Sequence, residues 1–141
     1  SEMCIRDSLS IPLQLRQGAP SRLSVRGEVI LPLPAFARLN RAPLGRDLEH
    51  YVNPRNAAAG ALRQLHDVDR NRLRSLEFRA YAVGQGLPSE IRTQEEVLAV
   101  LSEWGFETNP DAALCIDVDA AIAYHEALQK RRTELAFEID G

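Results

Sequence analysis

Arginines at a fixed spacing behind a helix-starting signal are the clearest chemical feature of this chain. The stretch from Tyr51 to Gln64 reads Tyr-Val-Asn-Pro-Arg-Asn-Ala-Ala-Ala-Gly-Ala-Leu-Arg-Gln. Asn53 is a good N-cap, since its side-chain oxygen can accept from first-turn amides. Pro54 suits the first helical position, where a missing N–H costs nothing. The positive end of the helix dipole would then lie beside Arg55, which together make an anion site. Arg63 follows two turns later on a similar side, able to meet a second anionic group. Ala57, Ala58, Ala59 and Gly60 keep the helix slim, so another backbone or a flat ligand could come close. Upstream, Glu28 is a strand carboxylate preceded by Gly27, which would let a ligand approach the backbone. The same residues also suit a plainer reading, an alanine-rich surface helix with solvated arginines and an exposed strand carboxylate.

Other chemistry-bearing residues favour structural roles. Asp117-x-Asp119 could hold a divalent cation but more often caps a helix, and His66-Asp67-x-Asp69 fits a polar loop. His50 and His125 have no evident partner, and Trp104 and Phe106 suit a core. Cys4 and Cys115 form neither a Cys-x-x-Cys nor a His-containing cluster, so no disulfide framework or zinc site is expected. Lys130 is the only lysine.

The elements that must position these groups follow from patterning. Leu23 to Leu31 alternates as a strand, and Pro34 can start a short helix through Leu39. A second strand runs from Leu76 to Val83, closed by Gly84-Gln-Gly86. Thr93 with Glu96 makes a capping box, so a helix is expected from Gln94 to Trp104, ended by Gly105. Asp117 or Asp119 caps another helix through about Lys130, and Leu135 to Ile139 begins a third strand. Interspersed strands and helices without a regular βαβ repeat predict an α+β fold with an antiparallel sheet and flanking helices.

The 141 residues allow one domain with a modest core. Net charge is −3, unlike a generic nucleic-acid binder, but it is unevenly spread. From Arg55 to Arg92 seven arginines face four acids, whereas from Thr93 onward eleven acids face Lys130, Arg131 and Arg132. That asymmetry suits a protein meeting phosphate on one face. No apolar run approaches the ~20 residues of a membrane span, so no membrane partner is expected.

Four segments in order resemble the bacterial NAD⁺-dependent DNA ligases. The Tyr51–Gln64 stretch is similar to their arginine helix, and Val25-Arg26-Gly27-Glu28-Val29 resembles nucleotidyltransferase motif III. Ser24 stands where the family usually has Glu. Thr93-Gln-Glu-Glu with Trp104-Gly-Phe and Asn109-Pro110 resembles the next helix and turn. Arg132 to Gly141 resembles the approach to motif IV. The resemblance implies an incomplete adenylation domain over residues 9–141, a partial nucleotidyltransferase fold. In such enzymes a lysine in Lys-x-Asp-Gly attacks NAD⁺, AMP passes to a nick 5′-phosphate, and the 3′-hydroxyl seals the strand. It implies cofactor contacts at Glu28, Arg55, Arg132 and Asp140, with Arg131 as the register alternative to Arg132. Arg55 and Arg63 would hold nucleic-acid or nucleotide phosphates, and Glu28 and Asp140 would meet Mg²⁺ through waters. Zn²⁺ belongs to a family domain outside this stretch. Expected partners are NAD⁺ and nicked double-stranded DNA, with the chain a monomer in the bacterial cytoplasm at the nucleoid.

Lys130 lacks the x-Asp-Gly context, so the chain alone is expected to be inactive. Residues 1–8 resemble translated read-through of a sequencing adapter and are set aside. The ligase-like sequence is expected to start near Leu9, and both ends are expected to fall within the domain. A stand-alone, non-catalytic module binding nucleic acid through the arginine helix is the alternative.

Overall fold

A computed structural model describes residues 10–41, 53–64, 69–115 and 117–139. Along the chain come β1 (Ser24–Ile30), α1 (Leu33–Arg41), α2 (Pro54–Leu62), α3 (Arg70–Arg74), β2 (Glu77–Gln85), α4 (Gln94–Trp104) and α5 (Val118–Lys130), then a 3₁₀ turn at Arg132–Glu134. The fold is α+β, a two-stranded antiparallel sheet with flanking helices.

Capping residues set the helix bounds. Asn53 Oδ1 accepts from the Asn56 amide at 2.8 Å, with Pro54 at the first helical position. Asn53→Ala is therefore expected to cost about 1 kcal/mol, readable as a lower urea midpoint with an unchanged m-value. Thr93 Oγ1 caps α4 through the Glu96 amide at 3.2 Å. Glu96 reaches back to the Arg92 amide at 3.0 Å, one residue before the cap. Gly105 ends α4 at a φ of 107°, while the Phe106 amide donates to the Leu101 carbonyl at 3.0 Å. That left-handed closure favours glycine. Between the two acids proposed to cap α5, Asp117 does so, accepting from the Ala120 amide at 2.8 Å.

The strands pair Val29 with Phe78, Glu28 with Arg79, Gly27 with Ala80 and Val25 with Val83. Tyr81 has no opposite residue, because Arg26 pairs with Ala82 and Gly27 with Ala80. This bulge changes the strand's parity, so Phe78, Ala80 and Val83 reach the same side. They pack there with Val97, Leu101 and Trp104 of α4. The other core lies at the far end of β1. There Leu31 meets Ala35 of α1, Ala57, Ala58 and Ala61 of α2, and Leu73 of α3. The slim alanine face of α2 therefore serves helix packing.

Leu135 to Ile139 forms no third strand. Among the described residues its backbone makes one backbone–backbone bond to the strands and helices, from the Leu33 amide to the Ala136 carbonyl at 2.7 Å, and Leu135 is buried. A strand needs a repeating ladder, which a segment tied at a single point does not form. α3 was not anticipated, since five residues carry too little periodicity to register. Among the described residues no helix is long and apolar enough to cross a membrane. Residues 1–9 lie outside the described residues, as do Cys4, His50, His66, Asp67 and Asp140.

Candidate functional site

β1 and α2 bring the two leading sequence candidates into one cleft. Alternation along β1 turns Val25 and Val29 inward and leaves Glu28 exposed. The cap at Asn53 places Arg55 in the exposed first turn of α2. Glu28, Arg55, Ala58, Ala59, Phe137 and Glu138 are among the residues lining a cleft of about 480 Å³. A neighbouring hollow of about 470 Å³ shares Glu28, Ile30, Phe137 and Glu138, and adds Arg79, Tyr81 and Gln94. The Glu28 side of β1 thus faces a two-lobed groove, with the segment after the 3₁₀ turn forming part of both walls.

The groove combines opposite charges with an aromatic face. Arg55 supplies a cation in the first lobe. In the second, Arg79 is bound by Glu77 at 2.5 Å and Glu107 at 3.3 Å, and donates to the Thr108 carbonyl at 3.4 Å. Its charge is therefore largely offset within the protein. Tyr81 is 51% exposed at the bulge, and Gln94 Nε2 donates to its carbonyl at 2.7 Å. An exposed ring beside a cation and two carboxylates can stack a flat base while charged groups hold its polar substituents.

Other expected site residues lie outside the lining. Arg63 Nε donates to the Ala59 carbonyl at 3.2 Å, folding the guanidinium back along α2. Ala59 lines the cleft, whereas Arg63 does not. Arg132 Nη2 donates to the carbonyl of Ile139, a wall residue of the second lobe, at 3.3 Å. The register alternative Arg131 instead lies 4.0 Å from Asp111 and 3.8 Å from Glu134.

Gly27 lines the cleft, and a Cβ there would meet the Phe78 ring and the Arg79 carbonyl. At the N-terminus of α2 Asn53 caps as expected, accepting from the Asn56 amide by its side chain, and its carbonyl accepts from the Ala57 amide. Asp69 caps α3 through the Asn71 amide at 2.9 Å, Trp104 is buried in the core, and Phe106 packs against it. Among the described residues no group of three or more His, Cys, Asp or Glu side chains could hold a metal.

Tyr81, Arg79 and Glu138 had no sequence signal as groove residues. The bulge exposes the first, register places the second opposite Glu28, and the crossing of residues 135–139 brings in the third.

Strand carboxylate, helix arginine and exposed aromatic define a small α+β domain suited to a phosphorylated ligand carrying a flat ring. The chain belongs to the NAD-dependent DNA ligase adenylation domain family, whose model matches residues 3–141. It is 41% identical over 141 residues to a DNA ligase of Herpetosiphon aurantiacus, covering 97% of this chain and 21% of that protein. A DNA ligase of Nitratidesulfovibrio vulgaris strain Hildenborough is 43% identical over 142 residues, covering 97% of this chain and 18% of its own length. One from Cellvibrio japonicus is 43% identical over 139 residues, covering 97% and 20%. The chain thus spans about a fifth of the length of these curated relatives.

Proposed function

We propose that this chain forms part of the adenylate-binding site of a ligase that seals nicks in duplex DNA using NAD⁺. The observation carrying this reading is the meeting of Glu28 and Arg55 in one cleft, within a chain of this family. Arg55 would grip nucleotide phosphate with a planar, permanently charged donor pair. Tyr81 would offer its ring to the adenine, and Glu28 would bond the ribose. Arg63 would hold nucleic-acid phosphate, while Arg132 and Asp140 would approach the nucleotide from the segment after α5.

Mg²⁺ fits the groove as a hydrated ion. It commonly keeps several waters and uses one or two carboxylates, which Glu28 and Glu138 would supply, with Asp140 two residues on. Bound there, the ion would offset charge on the phosphates. Glu28 would then orient its water shell while Arg55 fixes the phosphate. The enzyme would act as a monomer on DNA in the bacterial cytoplasm, at the nucleoid.

The sole lysine, Lys130, is exposed in the last turn of α5 and lines neither lobe. These 141 residues are therefore expected to bind NAD⁺ without becoming adenylated. Radiolabelled NAD⁺ with Mg²⁺ tests both points: filter retention should be saturable and fully lost on denaturation. Absence of saturable retention would sink the nucleotide reading and favour the non-catalytic nucleic-acid module. Label surviving denaturation would refute inactivity of the chain.

A further inference from the structure

Tyr81 reaches the groove because β2 bulges there, and a side chain from α4 holds that bulge. A bulged residue lies outside the regular ladder, so the groups around it decide how its side chain is aimed. The Tyr81 carbonyl accepts from Gln94 Nε2 at 2.7 Å. Gln94 opens α4, directly after the capping residue Thr93. Val97, three residues on, is buried in one core with Ala80, the residue before Tyr81. The Ala80 amide is itself held by the Glu107 carbonyl at 2.8 Å. A capped and packed helix thus delivers the donor to the bulge. Gln94 and Tyr81 line the same lobe of the groove, whereas Arg55 lines the other.

We propose that Gln94 is a positioning residue for base binding: by fixing the Tyr81 backbone it sets the ring where a flat base can stack on it. Aromatic stacking depends on the separation and offset of the two rings. A bulge free to shift therefore loses stacking while the strand around it stays paired. Only the nitrogen of a carboxamide can donate to a carbonyl, so the bond also fixes which way the Gln94 amide turns. Gln94 acts through the backbone of Tyr81 and stands in the lobe away from Arg55. Its loss should weaken the hold on the base and leave the hold on phosphate. The inference rests on the reading that Tyr81 offers its ring to the adenine.

The test measures AMP and ribose 5-phosphate binding to this chain by competition with radiolabelled NAD⁺, so that the ratio of the two affinities isolates the base. Gln94→Leu should lower that ratio about two- to tenfold, the effect of one lost neutral hydrogen bond, with ribose 5-phosphate binding unchanged. Gln94→Glu keeps the side-chain length and suits a first helical turn, but its carboxylate has no proton to donate. It should lower the ratio as far, because its charge acts on both phosphates alike and cancels. Added to Tyr81→Ala, Gln94→Leu should have no further effect, since the ring it positions is gone. An unchanged ratio in both Gln94 variants overturns the inference. So does an equal loss for the two ligands in Gln94→Leu, which is what a merely structural bond would give. If Tyr81→Ala lowers the ratio and the Gln94 variants do not, the nucleotide reading stands and this role falls. If Tyr81→Ala leaves the ratio unchanged, the placing of adenine on Tyr81 fails and takes this role with it.

Discussion

Gly27→Ala is expected to destabilise the fold by about 2–3 kcal/mol, a typical cost of forcing atoms into a packed site. The added Cβ would collide with the Phe78 ring and lie 2.5 Å from the Arg79 carbonyl oxygen. The ring can turn, but the carbonyl belongs to β2, which pairs with β1 at this point. Shifting it would disturb the Glu28–Arg79 pair and the neighbouring Ala80 amide, which donates to the Glu107 carbonyl at 2.8 Å. Urea unfolding should show a lower midpoint. Combining Gly27→Ala with Phe78→Leu separates the two clashes. If the ring is the main obstacle, the double variant should recover most of the loss beyond the cost of Phe78→Leu alone. If the carbonyl dominates, as its fixed position implies, the penalties should add. A Gly27→Ala protein as stable as the unsubstituted chain would refute the packing account. The glycine before Glu28 then has a structural reason, because it lets an aromatic residue of β2 lie across β1.

Residues acting through local backbone chemistry were legible in the sequence. Asn53-Pro54, Thr93 and Gly105 announced their helix ends because capping depends on a few neighbouring residues. The Glu28 strand was legible because one face of it is buried and the other exposed. The bulge at Tyr81 was not, since an unopposed residue is defined by a partner strand about fifty positions away. Without the bulge, alternation would put Ala82, not Val83, on the face of Phe78 and Ala80. Leu135–Ile139 has the composition of a strand, but pairing depends on what lies beside it. Glu28 and Arg55 could be named from their segments, whereas Glu138 and Tyr81 enter the groove only through chain crossing and bulge. The bond from Arg63 to the Ala59 carbonyl could not be read from spacing.

Arg55→Ala should weaken nucleotide binding by roughly ten- to hundredfold, the equivalent of about 1.5–3 kcal/mol for a hydrogen bond to a charged group. The effect should lie at the upper end, because Pro54 has no amide and Asn53 already occupies that of Asn56. Phosphate recognition in this lobe then rests on the side chain and the helix dipole. Arg55→Lys should restore only part of the affinity, since an ammonium lacks the planar fork. Full restoration by lysine would mean that charge alone suffices. Glu28→Gln makes the complementary test by removing a negative charge while keeping the shape. Without Mg²⁺ it should bind AMP at least as tightly as the unsubstituted chain, because a carboxylate beside a phosphate repels it. With Mg²⁺ it should gain much less than the unsubstituted chain, having lost an anchor for the hydrated ion. Titrating AMP into each variant with and without Mg²⁺ separates these roles. If Glu28→Gln keeps the full Mg²⁺ response, the ion is held elsewhere and Glu28 contacts the nucleotide alone.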